Sequence, residues 1–204
     1  MKRDAQKEKK YQGLAWPSLI AGQLIKRYKR FLADVRLDSG QVVTAHCPNS
    51  GSMAACSEPG QGVYLSSHDN PKRKLKYTWE IIHMPDSWVG VNTLVPNRLV
   101  KNAIETGQVA KLAGYDSIRP EVKTAEGSRL DLMLRGRDKD TCYIEIKNCT
   151  LVQNGVAMFP DAVTQRGRKH LFELERLKAE GNRCLMFFLI QRMDAEVFKP
   201  ADHI

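Results

Sequence analysis

Residues 129–149, RLDLMLRGRDKDTCYIEIKNC, decide how the C-terminal half of this chain is interpreted. Apolar and polar residues alternate in residues 129–135 and again in residues 142–149, with the period of two that is expected of β-strands. The polar stretch RGRDKDT between them is typical of a turn. The pattern therefore predicts an antiparallel hairpin.

Three of the charged residues on this predicted hairpin, Asp131, Glu145 and Lys147, lie within otherwise apolar strands. The leucines of residues 130–134 are expected to share one face and Asp131 the other, while Glu145 and Lys147 are two residues apart and share a face. We therefore expect the hairpin to bring Asp131 beside Glu145. The alternative is an ordinary ion pair of Glu145 with Lys147, with Asp131 paired to an arginine.

Two neighbouring carboxylates and an ammonium group suit phosphodiester hydrolysis with Mg²⁺ or Mn²⁺, because hard cations prefer oxygen ligands. We predict Asp131, Glu145 and Lys147 as catalytic residues, with Asp131, Glu145 and the backbone carbonyl of Ile146 as metal ligands. The lysine would act on the attacking water or on phosphate charge. A further carboxylate, Glu105 or Glu121, could complete the shell, although either also fits an ordinary surface acid.

The helix predicted over residues 159–180 ends before Gly181 and supplies hydrogen-bond donors for phosphate. Arg166 and His170 are four residues apart and share a helical face, with Thr164 and Lys169 nearby. The leucines at 171, 174 and 177 are expected to face the core. A solvated basic face remains the alternative interpretation of this row.

Charge is uneven along the 204 residues. The net charge is +9, and residues 1–85 hold 14 Lys and Arg against 7 Asp and Glu, which gives +7 and leaves +2 for the remainder. Such asymmetry indicates a polyanionic partner for the first half, although charge for solubility alone is the alternative. No apolar run could span a membrane, and five cysteines without metal-ligand spacing suggest reduced thiols in the cytoplasm.

The N-terminal half reads as short strands separated by turns. Residues 1–13 are predicted to be a disordered tail, and residues 24–37, 41–47, 63–67 and 75–82 are predicted to be extended. In residues 24–37, Phe31 is expected on the core face with Ala33, Val35 and Leu37. A small β-barrel or sandwich over residues 14–85 follows.

Basic and aromatic residues interleave in this half, a combination that suits phosphate contact and base stacking. The NSGSM turn could offer its amides to phosphate. The predicted nucleic-acid-binding residues of this half are Lys26, Arg27, Tyr28, Lys29, Arg30, Asn49, Ser50, Ser52, Arg73 and Lys74.

Residues 86–204 read as an αβββαβ unit, with a helix over residues 96–107, a strand over residues 116–123, the hairpin, the second helix, and the apolar run RCLMFFLI as a strand buried on both faces. The predicted fold class is therefore mixed α+β, with a β-barrel followed by an α/β domain.

Six segments occur in an order that resembles one family: LIKRYKRFLADV, TAHCPNSGSM, NPKRKLKYTWE, SRLDLML, YIEIKNCTL and FPDAVTQRGRKHLFEL. Over roughly residues 17–204 the chain is similar to the sugar fermentation stimulation protein A family. That resemblance implies an N-terminal OB-fold that binds DNA with low sequence specificity. It also implies a C-terminal domain similar to the PD-(D/E)xK restriction-endonuclease-like nucleases, in which Asp131, Glu145 and Lys147 match the motif.

Two departures from the family pattern stand out. Leu130 replaces the proline of the wider motif, and the chain ends at FKPADHI, where the family usually continues, so truncation is an expectation. Two functions remain open: a Mg²⁺-dependent nuclease acting on DNA, with RNA as a second candidate substrate, or a non-enzymatic DNA-binding regulator of sugar (maltose) metabolism with a vestigial nuclease fold. No membrane partner is expected, and the oligomeric state stays open, a homodimer included.

Overall fold

A computed structural model describes residues 13–202 of the chain, so the tail predicted for residues 1–13 lies almost wholly outside the described residues. Six strands form a first sheet: β1 (Leu19–Tyr28), β2 (Leu32–Leu37), β3 (Val42–His46), β4 (Gly62–Ser67), β5 (Tyr77–Met84) and β6 (Ser87–Gly90). The remaining elements are α1 (Val95–Glu105), a 3₁₀ turn (Ala110–Leu112), β7 (Ser117–Ala125), β8 (Ser128–Gly136), β9 (Lys139–Cys149), β10 (Leu151–Gln153), β11 (Val156–Phe159), α2 (Gln165–Ala179), β12 (Arg183–Ile190) and β13 (Val197–Pro200).

The first sheet closes into a five-stranded barrel. Its strand order is β3-β2-β1-β4-β5, and a parallel pairing of β3 with β5 closes it. Alternate residues of each strand point into the barrel. The inward residues Ala33, Val35 and Leu65 are fully buried and share one core with Trp79. This topology is OB-like, as predicted.

The stretch at residues 24–37 is not the single strand that its alternation predicted. The chain turns at residues 29–31, where Lys29 and Arg30 have φ values of 47° and 66°. Positive φ is uncommon outside glycine, and no glycine, proline or asparagine marks this turn. Phe31 therefore lies at the turn and is 46% exposed, instead of packing in the core.

Strand β6 extends the first sheet beyond the barrel. It pairs with β5 through a tight hairpin, with Ile82 opposite Val89 and Met84 opposite Ser87. The boundary predicted between residues 85 and 86 falls inside this hairpin, and the first sheet continues to Gly90.

The second unit is a four-stranded mixed sheet between two helices. Its order is β12-β9-β8-β7, with β12 parallel to β9 and the other pairs antiparallel. Helix α1 covers one face through Val100 and Ile104, and α2 covers the other through Leu174 and Leu177. The predicted hairpin of β8 and β9 is confirmed, as is the mixed α/β class.

Three details of this unit differ from expectation. Helix α2 begins at Gln165 rather than residue 159, because residues 156–159 form β11 and Thr164 caps the helix by accepting a hydrogen bond from the Gly167 amide. Leu171 is 47% exposed, while the other two predicted core leucines are buried. Strand β12 is half-buried along its whole length, and a small sheet of β10, β11 and β13 was not foreseen.

Hydrogen bonds join the barrel to the second unit. The Ser52 amide donates to Asp161 Oδ2 at 3.2 Å, and the Met193 amide donates to Ser87 Oγ at 2.8 Å. Arg192 Nη1 donates to the Ala55 carbonyl at 3.2 Å. These contacts hold the two units together.

All five cysteines are free thiols, as their spacing predicted, and four of them are buried. Within residues 13–202, neither helix is long and apolar enough to cross a membrane.

Candidate functional site

Asp131 fills a gap where β8 and β9 separate. Their paired register runs from Gly136 opposite Lys139 to Leu132 opposite Ile144. One residue further along, Asp131 Oδ2 accepts a hydrogen bond from the Ile146 amide at 2.6 Å, and its Oδ1 accepts one from Asn97 Nδ2 at 2.7 Å. The carboxylate is thus held by a strand amide and by helix α1.

Glu145 is the most buried member of the charged trio, with 3% of its surface exposed. Lys147 Nζ donates to its Oε1 at 2.6 Å, and His170 Nδ1 donates to the same oxygen. The second oxygen, Oε2, is buried and has no hydrogen-bond partner among the described residues. A buried carboxylate oxygen without a donor is costly, so this atom fits a ligand that supplies positive charge.

Burial raises the pKa of Asp131 above its ordinary value of 3.8, and the negative charge of Glu145 raises that pKa further. The hydrogen bonds from Ile146 and Asn97 act in the opposite direction. Two carboxylates therefore repel one another across the gap. A cation bound to both would relieve that repulsion, which is a second reason why these residues fit a metal ion.

The three leucines of β8 do not share one face, contrary to expectation. Leu132 and Leu134 pack in the cluster beneath α1, whereas Leu130 packs against α2. The change of side coincides with Glu121, which has a φ of 53° and lies between Pro120, paired with Leu132, and Val122, paired with Leu130. Because the alternation breaks at this point, Asp131 turns toward Asn97 on α1 instead of standing squarely on the α2 face.

The two candidate additional carboxylates differ in position. Glu105 forms a 2.5 Å ion pair with Lys101 near the end of α1. Glu121 lies beside the site and pairs only distantly with Arg129, at 3.7 Å. No group of three or more His, Cys, Asp or Glu able to hold a metal ion occurs in the described part of the chain. A divalent ion would therefore depend on two carboxylates, a backbone carbonyl, water and substrate, as Mg²⁺ sites commonly do.

The Ile146 carbonyl is oriented toward this gap. In an extended strand the amide and carbonyl of one residue point to the same side, and the Ile146 amide reaches Asp131. The three predicted ligand residues therefore lie close together along β8 and β9, with Asp131 bonded to Asn97 on α1 and Glu145 bonded to His170 on α2.

A basic cavity of about 320 Å³ lies where α2 meets the β7–β8 hairpin. Arg166, Lys169 and His170 line it from α2, opposite Arg129 of β8. His170 is also bonded to Glu145, so this one side chain connects the cavity to the buried carboxylate. A cavity lined by cationic groups suits a phosphate. Thr164 lies elsewhere, as the N-terminal cap of α2.

A larger groove, of about 700 Å³, runs between the barrel and the second unit. It joins the loop before α2 to the end of β9, where Asn148 directly follows Lys147. The predicted binding residues that line it are Arg27, Arg30, Asn49, Ser50, Ser52 and Thr164.

Several predicted binding residues have structural partners. The Arg27 guanidinium donates to the carbonyls of Asn49, Gly51 and Ser52, and therefore holds this loop in place. Asn49 is 5% exposed and donates through Nδ2 to the Val91 carbonyl at 3.2 Å.

Other predicted binding residues are bound to side chains or are exposed. The Tyr28 hydroxyl donates to Asp34, which also forms a 3.7 Å ion pair with Lys26. Arg73 lines a different cleft and donates to Thr78. The exposed members of the set are Lys26, Lys29, Arg30, Ser50, Ser52, Lys74, Thr164, Arg166 and Lys169.

The sequence did not identify two residues that contribute to this geometry. Asn97 follows Pro96 and was interpreted only as a helix start, yet its side chain orients Asp131. Asp161 bonds Ser52 across the interface and lines the groove. No local pattern distinguishes either residue from an ordinary polar position.

Fold and site define a class of protein: an OB-like barrel followed by a mixed α/β domain with a carboxylate pair on its central hairpin. Family comparison agrees. Residues 25–91 match the model described as the SfsA N-terminal OB domain, and residues 94–204 match the sugar fermentation stimulation protein RE domain. The chain belongs to the sugar fermentation stimulation protein A family.

The matches to related proteins cover most of this chain and most of each relative. The sugar fermentation stimulation protein homolog of Geobacter sulfurreducens is 56% identical over 186 residues, which cover 91% of this chain and 79% of the homolog. The Marinomonas sp. homolog is 50% identical over 188 residues, covering 91% and 73%. The structure of Pyrococcus furiosus SfsA in complex with Ca²⁺ is similar in fold, with a TM-score of 0.85, 24% identity, and coverage of 95% of this chain and 82% of that one.

Proposed function

We propose that this protein is a metal-dependent nuclease of low sequence specificity that acts on DNA, with RNA as a second candidate substrate. The observation that carries the proposal is the buried Glu145 Oε2, which lacks a hydrogen-bond partner within residues 13–202. The next residue, Ile146, donates its amide to Asp131. Mg²⁺ or Mn²⁺ is the proposed cofactor. When bound, such an ion would polarise the phosphodiester and lower the pKa of a bound water.

The residues of the chain would divide the remaining work. Asp131 and Glu145 would hold the ion, with the Ile146 carbonyl as a third ligand. Asn97 and His170 would orient these carboxylates through their hydrogen bonds. Lys147 Nζ would orient the attacking water or balance charge on the phosphate, while water adds to phosphorus and the bond to the leaving sugar oxygen breaks.

The calcium complex of the P. furiosus relative supports a cation site in this fold. Ca²⁺ takes oxygen ligands, as Mg²⁺ does, and commonly occupies carboxylate sites of this kind. The donor set here, two carboxylates and a strand carbonyl, consists of oxygen atoms.

Nucleic acid would follow the groove from the barrel to the trio. Arg30 and Ser50 lie on its barrel side, and Asn148 on its other side follows Lys147 in the sequence of β9. The basic cavity formed by α2 would hold a neighbouring phosphate. Phosphate contacts of this kind position a strand without reading its sequence, which is consistent with low specificity. A cytoplasmic location is part of the proposal.

Binding to nucleic acid should depend strongly on salt. Each phosphate contact to duplex DNA changes the slope of log K against log salt by about 0.9. We expect the double variant Lys29→Ala, Arg30→Ala to reduce that slope by about 1.8 if both residues contact phosphate. Filter binding at several salt concentrations measures it, with Arg137→Ala on the β8–β9 turn as the matched control. A slope equal to that of the unmodified chain would remove these two residues from the interface.

Cation binding should weaken with acidification. Because the pKa of Asp131 is raised, protons compete with the cation at a pH above the ordinary aspartate value of 3.8. Above its raised pKa the Asp131 carboxylate is charged, and its affinity for the cation is maximal. As the pH falls through that pKa, the affinity declines, because the cation must displace a proton from the carboxyl group. Calorimetry with Ca²⁺, repeated from pH 7.5 downward, measures this. Affinity that stays constant until the ordinary aspartate range would show that Asp131 does not hold the ion.

One observation favours a second function, that of a non-enzymatic DNA-binding regulator. Glu145 Oε1 already accepts hydrogen bonds from Lys147 and His170, as the ion-pair interpretation expects. A structural ion pair would bind no divalent ion at Oε2. Calorimetry with Mg²⁺ and Ca²⁺ therefore tests the proposal: saturable binding that Glu145→Gln removes supports the nuclease, and absence of binding supports the regulator.

A further inference from the structure

A separate cavity of about 650 Å³ lies between the barrel and the first turns of α1. Its walls come from residues 14–17, from the ends of β3, β4 and β5, and from residues 94–99. Of the described residues that line this cavity, none belongs to the trio of Asp131, Glu145 and Lys147. The volume falls in the range of about 300–1,000 Å³ that is typical of sites for small organic ligands.

A buried carboxylate lies in the wall of this cavity. Glu80 is 5% exposed, and it receives a hydrogen bond from Ser66 Oγ at 2.6 Å and one from Asn92 Nδ2 at 2.7 Å. Both donors are neutral, so the charge of Glu80 is held in place by them without being balanced by them. Each carboxylate oxygen keeps a further lone pair, and Glu80 can therefore accept an N–H group of a ligand.

Cationic groups line the same cavity. Arg73 Nη2 donates to Thr78 Oγ1 at 2.8 Å, which leaves its other N–H groups available, and Arg98 is exposed on α1. His46 also lines the cavity, and burial together with the charge of Arg73 lowers its pKa, so that the two arginines supply the positive charge at neutral pH. Planar guanidinium groups bind phosphate through paired hydrogen bonds.

The remaining wall is apolar. Trp16 and Leu94 are 48% and 67% exposed, and both line this cavity together with Pro17 and Leu99. An indole ring at the edge of a cationic pocket provides a stacking surface for a nucleobase.

We propose that this cavity binds a nucleoside monophosphate. Its base lies against Trp16, its phosphate is held by Arg73 and Arg98, and an amino or ring N–H group of the base donates to Glu80. A phosphate, an aromatic ring and an N–H donor within one small molecule match the three kinds of wall. The proposal does not depend on nuclease activity, because its residues lie outside the trio.

The test is calorimetry on the full chain in EDTA with AMP, GMP, CMP and UMP, and with inorganic phosphate and adenosine as partial ligands. We expect saturable binding of at least one nucleotide, weaker binding of both partial ligands, and a loss of about tenfold or more in Arg98→Ala. Arg137→Ala, on the exposed β8–β9 turn, is the matched control and should bind as the unmodified chain does. Trp16→Ala, an exposed position, should also weaken binding, and thermal unfolding of each variant checks that it is folded.

Four results would overturn the proposal. They are saturation by none of the four nucleotides at millimolar concentration, inorganic phosphate binding as tightly as the nucleotide, equal losses in Arg98→Ala and Arg137→Ala, and loss of nucleotide binding in Glu145→Gln. The last result would place the nucleotide at the candidate metal site. Weakened binding of a single-stranded oligonucleotide by Arg98→Ala, without any mononucleotide binding, would assign the cavity to the nucleic-acid interface instead.

Discussion

Replacing Asp131 or Glu145 by alanine should lower the rate of DNA cleavage by about a thousandfold or more, because each change removes a ligand from a site with only two nearby carboxylates. Divalent-ion affinity should fall in parallel, and raised metal concentration should restore part of the rate. Cleavage of a labelled oligonucleotide across a series of Mg²⁺ concentrations measures both effects.

Two controls keep this prediction specific. Glu145→Gln preserves shape in a buried position where alanine would leave Lys147 and His170 without a partner. Glu105→Ala removes a carboxylate that pairs with Lys101 on α1, and it should leave the cleavage rate unchanged. If Glu105→Ala abolished cleavage while Asp131→Ala did not, the ligands would have been misassigned.

Lys147→Ala should separate metal binding from catalysis. An ammonium group cannot ligate a cation, so Ca²⁺ affinity should be retained, while cleavage should fall by about 10²–10⁴-fold. Parallel calorimetry, gel-shift and cleavage measurements on the same preparation test this, with Lys101→Ala as the matched control. DNA binding should persist, because the exposed basic residues of the barrel lie elsewhere.

The outcome that would contradict this prediction is a joint loss of metal affinity and cleavage in Lys147→Ala with an intact fold. That result would mean that the lysine only positions Glu145, through the 2.6 Å ion pair.

The hairpin of β8 and β9 could be predicted because its alternation is local and its turn is polar. The barrel could be predicted from strands of period two separated by turn residues. The turn at Lys29 and Arg30 could not, since positive φ at residues other than glycine depends on tertiary packing and leaves no compositional mark.

The candidate site was partly predictable for a related reason. Spacing placed Glu145 and Lys147 on one face, and the 2.6 Å ion pair between them agrees with that placement. The direction of Asp131 was not predictable, because β8 departs from strict alternation between Leu130 and Leu132, which pack on opposite faces of the sheet. Contacts supplied by another element, such as the hydrogen bond from Asn97, leave no trace in the local pattern.

The most direct measurement is cleavage of single- and double-stranded DNA by the purified full chain with Mg²⁺ and with EDTA, run beside Glu145→Gln purified in the same way. We expect cleavage with Mg²⁺, none with EDTA, and a loss of about a thousandfold or more in the variant. Cleavage equal in the unmodified chain and in Glu145→Gln, or no cleavage by either under conditions where both bind DNA, would contradict it.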